Sequence, residues 1–253
     1  MTAAPRKAQW STVEAIKGFI LDKGLGPGEP MPTEAELCAS LGVSRSSVRE
    51  AMRTLASLDI VEVRHGHGTF VGQLSLSPLV SGLVFRSQLN PGGGFASLRD
   101  VVDFRIALDL GIAEELVELH RGKEHPELEQ LVEGMRERTA RGETFAEEDG
   151  AFHAGLLAGL DNTLVRQLVA ALWEVHTEVV PRLGIAQSED IQHTVEAHAH
   201  MLQALEAGDL AGYREAVVEH YRPLSKVIDA AKEQPSGTAH SPSTAYQRSS
   251  AGT

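Results

Sequence analysis

Apolar residues recur along most of the chain at the three- and four-residue spacing of amphipathic helices. Residues 42–55, GVSRSSVREAMRTL, illustrate this pattern, because Val48, Ala51 and Met52 begin an apolar stripe along one helix face. At about 100° per residue, a separate face within roughly 80° of arc collects three arginines: Arg45, Arg49 and Arg53. That face could meet an anion or only water, and the helix by itself leaves both alternatives open.

A second short helix is predicted directly upstream. Thr33 and Glu36 have the spacing of a capping box, and Gly42 with Val43 predicts a tight turn at the end of this helix. Ser44 can then cap the arginine-bearing helix. Two short helices joined by a turn, the second basic along one side, are the layout of a helix-turn-helix, whose second helix meets base edges in the major groove.

Residues 60–71, IVEVRHGHGTFV, alternate apolar and polar positions around a glycine-containing tip and predict a β-hairpin wing. Beyond it the helical spacing continues without alternating strands. The sequence therefore predicts a mainly α fold, with a winged helix-turn-helix over 1–73 followed by an all-α bundle over 97–232. The helices of the bundle are expected at 97–120, 126–141, 144–160, 163–182, 188–207 and 209–232. A linker with one short helix is expected at 74–96, and a disordered tail poor in large apolar residues at 233–253.

Charge is distributed unevenly between these parts. Residues 1–73 hold eight basic and eight acidic side chains, so the net charge of −12 belongs to the rest of the chain, which should stay away from phosphates. The single cysteine, Cys38, excludes an internal disulfide and is expected to be a small core residue. Because the sequence has no long apolar run and no N-terminal signal pattern, we expect a cytoplasmic protein without a membrane partner.

Three motifs in order, GPGEPMPTEAEL, GVSRSSVREAM and HGHGTFV, make residues 10–72 resemble the winged-helix domain of the GntR family of bacterial transcriptional regulators. By this resemblance, Arg45 and Arg49 contact guanine edges or nearby phosphates, as an arginine fork can. The remaining predicted DNA contacts divide into phosphate-backbone contacts from Thr33, Ser46 and Ser47, a phosphate contact or ion pair from Arg53, and minor-groove contacts from His65 and Gly66. Ala35 stands where many relatives carry an arginine, so the operator preference should differ.

Residues 97–232 resemble the FCD ligand-binding domain of the FadR-like branch of that family. The resemblance is carried by the segments VDFRIALDLGIAEELVELH, EEDGAFHAGLLAGLDN and EAHAHMLQALEAGDLAGYREAVVEHYRPL. It implies that Arg105 binds a small carboxylate effector. Asp109 replaces the usual glutamate and has a shorter reach. The alternative is that Arg105 only forms an exposed ion pair with Asp109, four residues along the same helix.

Four residues are spaced as a metal site would require. Asp149 and His153 are four apart on one helix, while His198 and His220 lie at similar distances on either side of Gly208, and so at one level of a helical hairpin. Metal-binding members of the family use this Asp and three-His set, whose donors suit Zn, Ni, Mn or Fe. Each histidine could instead be a surface or core residue. Three other histidines fit the register less well and are expected to be structural or to support the ligands: His176, His193 and His200.

These features predict a metabolite-responsive regulator, a repressor rather than an enzyme, that binds double-stranded operator DNA as a homodimer. Its bundle would hold a divalent transition metal and the carboxylate effector. One alternative is a metal-dependent hydrolase or lyase with a DNA-binding domain, because three His and an Asp could activate water. No residue in the sequence has a clear claim to be its general base. The other alternative is a sensor of the metal itself.

Overall fold

The computed structural model of the chain describes residues 4–89, 93–183 and 191–233. Residues 234–253 of the expected tail, 90–92 of the NPGGG run and the expected helix start at 188 lie outside the described residues. Within the described ranges the chain forms eleven α-helices and one β-hairpin: α1 Ala4–Lys23, α2 Glu34–Leu41, α3 Arg45–Ser57, β1 Val61–Arg64, β2 Gly68–Val71, α4 Ser77–Leu89, α5 Gly93–Gly111, α6 Ala113–His120, α7 Pro126–Ala140, α8 Ala146–Leu157, α9 Thr163–Arg182, α10 Ile191–Ala207 and α11 Leu210–Glu233.

The predicted ends of α2 and α3 are confirmed by their hydrogen bonds. The Glu36 amide donates to the Thr33 hydroxyl (3.3 Å), and the Thr33 amide donates to the Glu36 carboxylate (2.8 Å), which closes the capping box. Gly42 ends α2 at a φ of 65°, where a side chain would be strained. Ser44 then accepts from the Ser47 amide at 3.2 Å and starts α3 one short turn later. Local side-chain chemistry therefore sets the geometry of this helix-turn-helix.

The wing is antiparallel, with Val61 paired to Val71 and Arg64 to Gly68. The other edge of β2 is covered by residues 28–31, since the Met31 amide donates to Thr69 O (2.8 Å). The sequence pattern gave no sign of this third segment, because Pro30 and two neighbouring glycines are not typical of a strand. The sheet, α1, α2 and α3 enclose one apolar core, which contains Ile16, Leu37, Val48, Leu55 and Val61.

A second apolar core is built from α4 to α11, with buried side chains such as Val80, Leu98, Phe152, Leu205 and Val217. Helix α11 packs on α5 and α10, and α8 packs on α7 and α9. The expected short helix of the 74–96 segment is α4, and its Val80 and Val84 contribute to this core. The bundle therefore begins with the first helix after the wing.

The single helix expected over 97–120 is wrong, because the chain forms α5 and α6 with a break at Ile112 (φ −99°, ψ 2°). Gly111 precedes the break and is a poor helix former, which explains why the helix bends here. Helix α9 has the predicted bounds, and the other helices begin or end within a few residues of theirs. None of the helices in the described ranges is both long and apolar enough to cross a lipid bilayer.

Candidate functional site

The four predicted metal ligands converge inside the bundle. Helix α8 carries Asp149 and His153, α10 carries His198 and α11 carries His220. One potential ligand atom from each lies within 4.8 Å of all the others. The hairpin between α10 and α11 turns at Gly208, whose φ is 74°, and so brings its two histidines to the same level. All three imidazoles are buried, with at most 8% of their surface exposed.

The hydrogen bonds of this cluster are incomplete without a cation. His198 Nδ1 lies 2.8 Å from the carbonyl of Thr194, so Nδ1 carries a proton and donates it. His198 Nε2 lies 2.8 Å from Asp149 Oδ1, where a proton on Nε2 would donate to that oxygen, so a metal ion would take the place of this proton between the two atoms. His153 Nε2 and His220 Nδ1 are buried without a hydrogen-bond partner in the described chain, and His153 Nε2 lies 3.6 Å from Asp149 Oδ1. One carboxylate and three imidazoles are a donor set that fits a divalent transition metal.

Electrostatics favours the ligand forms of these groups. Burial lowers the pKa of His153 to about 3 and holds the pKa of His220 well below its usual value, so both rings are neutral at pH 7. Burial alone would raise the pKa of Asp149, but the hydrogen bond to His198 and the nearby imidazoles hold it well below its ordinary value. Neutral imidazoles and an ionised carboxylate are the states that metal coordination requires.

Trp173 of α9 fixes the remaining oxygen of Asp149. Its indole Nε1 donates to Asp149 Oδ2 at 2.7 Å, which leaves Oδ1 for the cluster. The indole packs directly on Gly150, where an added Cβ would lie 2.9 Å from Cζ2 of the ring. Sequence reasoning missed Trp173, because it is 24 residues from Asp149 and no local spacing connects them.

Beside the cluster lies a cavity of about 390 Å³, whose polar lining includes Arg105, Asp149, His176 and His220. Most of the other lining side chains are apolar and come from α9, α10 and α11. Arg105 is only 3% exposed, and its Nε and Nη2 are buried without a hydrogen-bond partner among the described residues. The cavity therefore contains a buried cation, and the hydrogen-bond donors on two of its three guanidinium nitrogens are unused.

Asp109 does not neutralise this guanidinium through a direct ion pair. Within the described chain no Arg105–Asp109 contact meets the 4 Å limit for a salt bridge, and Asp109 Oδ2 accepts from the Tyr221 hydroxyl at 2.7 Å. Burial raises the pKa of Asp109, against the influence of Arg105 and Tyr221. The Tyr221 ring also lies 5.2 Å from Arg105 Cζ. Arg105 and Asp109 are both buried, so the exposed ion pair considered as the alternative does not form.

The predicted DNA contacts of α3 are accessible. Arg45 is exposed at the first helical residue, where a positive charge opposes the helix dipole and gains nothing for folding. Arg49 is held by Glu34 through two contacts of 3.4 and 3.1 Å, and Arg53 lies 3.5 Å from Glu50. Ser46 is exposed and Ser47 is half-buried.

Two further predicted DNA contacts lie at Thr33 and at the wing. Thr33 is exposed, but its hydroxyl already serves the capping box. At the wing tip His65 is exposed and Gly66 has a φ of 78°, a conformation that favours glycine. The His67 amide closes the tip by donating to Arg64 O at 2.9 Å. The backbone at the tip is therefore free of a Cβ where it would approach a groove.

A helix-turn-helix with an accessible basic helix and a wing, followed by a helical bundle with a polar cavity, defines a DNA-binding transcriptional regulator. Residues 10–71 match the family described as bacterial regulatory proteins, gntR family, and residues 100–223 match the FCD domain. The chain belongs to the GntR family of transcriptional regulators and carries an FCD domain.

Two curated relatives match along 90% or more of their own length. The chain is 25% identical over 224 residues to the HTH-type transcriptional regulator LutR of Bacillus subtilis (strain 168), over 85% of this chain and 99% of the relative. It is 30% identical over 228 residues to the probable D-xylose utilization operon transcriptional repressor of Paenarthrobacter nicotinovorans, over 87% and 90%. The solved structure of Streptococcus agalactiae GntR has a TM-score of 0.62 and 24% identity, and covers 86% of this chain and 99% of that chain. This last similarity concerns the fold alone.

Proposed function

We propose that the protein is a metabolite-responsive repressor that binds operator DNA, and that its FCD domain binds a divalent transition metal together with a small carboxylate effector. One observation carries the proposal: Asp149 and His220, two members of the candidate ligand cluster, line the same cavity as Arg105, whose Nε and Nη2 have no hydrogen-bond partner among the described residues. Zn, Ni, Mn and Fe all suit the donor set of Asp149, His153, His198 and His220.

The chain's own residues would hold the effector between two positive centres. A divalent ion, when bound, supplies a Lewis-acidic anchor for an anionic group. Arg105 offers a planar fork that binds a carboxylate through two parallel hydrogen bonds and fixes its orientation. Apolar walls that include Val180, Leu224 and Val227 exclude water and strengthen both interactions. A cavity of this kind suits a small organic acid.

At the operator, we assign base contacts to Arg45 and Arg49. Arg49 would leave its ion pair with Glu34 when its side chain reaches a guanine. Thr33, Ser46 and Ser47 would position the phosphate backbone, Arg53 would add a phosphate contact, and His65 and Gly66 would enter the minor groove. A homodimer would present two such units to half-sites about one helical turn apart. The assignment of a repressor is supported by the name of the relative from Paenarthrobacter nicotinovorans.

The test is operator binding by the full chain, measured as fluorescence anisotropy on the DNA upstream of its own gene, with candidate acids and with a chelator. We expect about one equivalent of metal per chain, and release of DNA when the correct acid is added to the metal-loaded protein. Arg105→Ala should keep metal content and operator affinity but lose release by the acid. His198→Ala should lose the metal.

Two results would contradict the proposal. Release of DNA by the chelator alone, with no acid having any effect, would mean that the ion itself is the signal. Turnover of an added acid by the metal-loaded protein would instead favour the metal-dependent enzyme, and chromatography of the acid after incubation would detect it.

A further inference from the structure

The buried side-chain atoms that lack hydrogen-bond partners are concentrated around one place. In the described part of the chain there are seven such nitrogen and oxygen atoms, and five of them belong either to the cavity beside Arg105, called here the effector cavity, or to the adjoining candidate metal cluster. These five atoms are Arg105 Nε, Arg105 Nη2, His153 Nε2, His176 Nδ1 and His220 Nδ1. Folding leaves few buried polar groups unpaired, so such a concentration indicates a ligand with several polar atoms.

The metal and the carboxylate of the proposed function satisfy four of these atoms. His153 Nε2 and His220 Nδ1 belong to the metal cluster, and the two Arg105 nitrogens match a carboxylate. His176 Nδ1 remains. An acid with no polar group other than its carboxylate would offer no hydrogen-bond partner to this buried nitrogen.

His176 is well placed to contact the same ligand. It lies on α9, one helical turn beyond Trp173, and its side chain lines the cavity with Arg105 while Nδ1 is buried. Burial and the charge of Arg105 lower the pKa of His176 to about 4, against the effect of Asp149. The ring is therefore neutral at pH 7 and offers one donor and one acceptor.

We propose that His176 is a specificity-determining residue, which hydrogen-bonds a hydroxyl or carbonyl oxygen of the acid whose carboxylate Arg105 binds. The cavity thus selects acids that carry an additional neutral oxygen over those with a plain hydrocarbon chain. A second carboxylate is a poor partner for this position, because Arg105 is the one lysine or arginine among the described residues that line the cavity. This inference rests on the proposed function.

The experiment measures dissociation constants by calorimetry on the full-length, metal-loaded protein. The probes are matched acids of three to six carbons: propionate, lactate and pyruvate; butyrate, 2-hydroxybutyrate and 2-oxobutyrate; and hexanoate with gluconate. The wild type should bind the oxygenated members at least about tenfold more tightly than the plain ones, as expected for a buried hydrogen bond. Comparison of hydroxy with oxo acids identifies which oxygen is preferred.

Two variants separate recognition from structure. His176→Leu removes both ring nitrogens at similar volume and should bring the ratio between plain and oxygenated acids close to one, with unchanged metal content. His176→Gln keeps a donor and an acceptor and should restore part of the preference. A variant that merely disturbed the fold would weaken the binding of all the acids by the same factor.

The outcomes distinguish this inference from the proposed function. If no acid binds the wild type, the carboxylate effector and the inference both fail. If acids bind through Arg105 but the wild type shows no preference, or His176→Leu keeps it, His176 has another partner such as a buried water, and only the inference is overturned.

Discussion

Replacing Arg105 with methionine should stabilise the acid-free protein while removing its response to carboxylates. Nε and Nη2 are buried without partners, and each such group costs about 1–3 kcal/mol. Methionine fills much of the same volume without polar hydrogens. The variant loses the contact of Arg105 with the Tyr221 ring, worth about 1–2 kcal/mol, and some attraction to Asp109. We therefore expect the free energy of unfolding to rise by about 1–3 kcal/mol.

Thermal unfolding followed by scanning calorimetry measures this change. For a chain of this size, each kcal/mol moves the midpoint by about 2–4 °C. An acid at about 100 times its dissociation constant should add about 2.7 kcal/mol to the free energy of unfolding of the wild type and nothing to that of the variant. The midpoint of the wild type should therefore approach or exceed that of the variant. A matched control on the same helix is Arg99→Met. Arg99 pairs with Asp229 (3.1 Å) and Asp103 (3.3 Å) near the surface, so its loss should cost no more than about 2 kcal/mol and should not stabilise the protein.

A lower midpoint for Arg105→Met, combined with binding of the acid as tight as in the wild type, would refute the reasoning. Arg105 would then be a structural residue that stabilises Asp109 and Tyr221, and its unpaired nitrogens would not mark a ligand. If the midpoint is unchanged and acid binding is lost, Arg105 still recognises the acid. The cost of burying its charge is then offset more fully than its contacts in the structure indicate.

Three further predictions concern the recognition helix, the metal cluster and acid stability. Arg45→Ala should cost about 1–3 kcal/mol on the operator and much less on random DNA, whereas Arg53→Ala should mainly reduce the salt dependence of binding, both measured by anisotropy; equal losses on both DNAs would make Arg45 a phosphate contact. Trp173→Phe keeps an aromatic ring beside Gly150 but loses the indole N–H that Asp149 accepts from. It should lower the affinity for the metal about 10–100-fold, measured by competition with a chelator. Because the pKa of His176 is about 4 in the folded protein and near 6.5 when unfolded, the unfolded state binds more protons between these values, so stability falls as pH drops from about 6.5 to 4. Urea unfolding at pH 7 and 5 should show a smaller decrease for His176→Leu.

Features decided by neighbours in sequence could be predicted. The caps at Thr33 and Ser44 require only side-chain oxygens a few residues from the amides that they accept from. The hairpin follows from alternation around a tip where Gly66 and Gly68 adopt positive φ. The predicted ligands Asp149 and His153 share a face because four residues make about one helical turn. Each of these signals is contained within one or two turns of chain.

Features decided by packing between distant segments could not be predicted. Residues 28–31 join the sheet through β2, some 40 residues later, and their own sequence gives no strand pattern. Trp173 and His176 look like ordinary positions of an amphipathic helix until α9 is packed beside α8 and α11. The spacing of His176 did not match the α10–α11 hairpin, because His176 lies on α9 and lines the cavity from that helix.

Helix α4 connects the cavity beside Arg105 to the helix-turn-helix by a short route. It packs on α5, which carries Arg105, and on α9, which carries His176. Just before it, the Ser75 amide donates to Asp59 Oδ2 (2.8 Å) beyond the end of α3, and the Leu74 amide donates to Asp59 O (3.1 Å). Gly72 lies so close to the Asp59 carbonyl that no Cβ would fit there, so this junction is tightly packed. If the proposed acid shifts α5 or α9 when it binds, the shift would act on a helix whose preceding residues are bonded to the chain just beyond α3, and tight interiors transmit such shifts because they deform little.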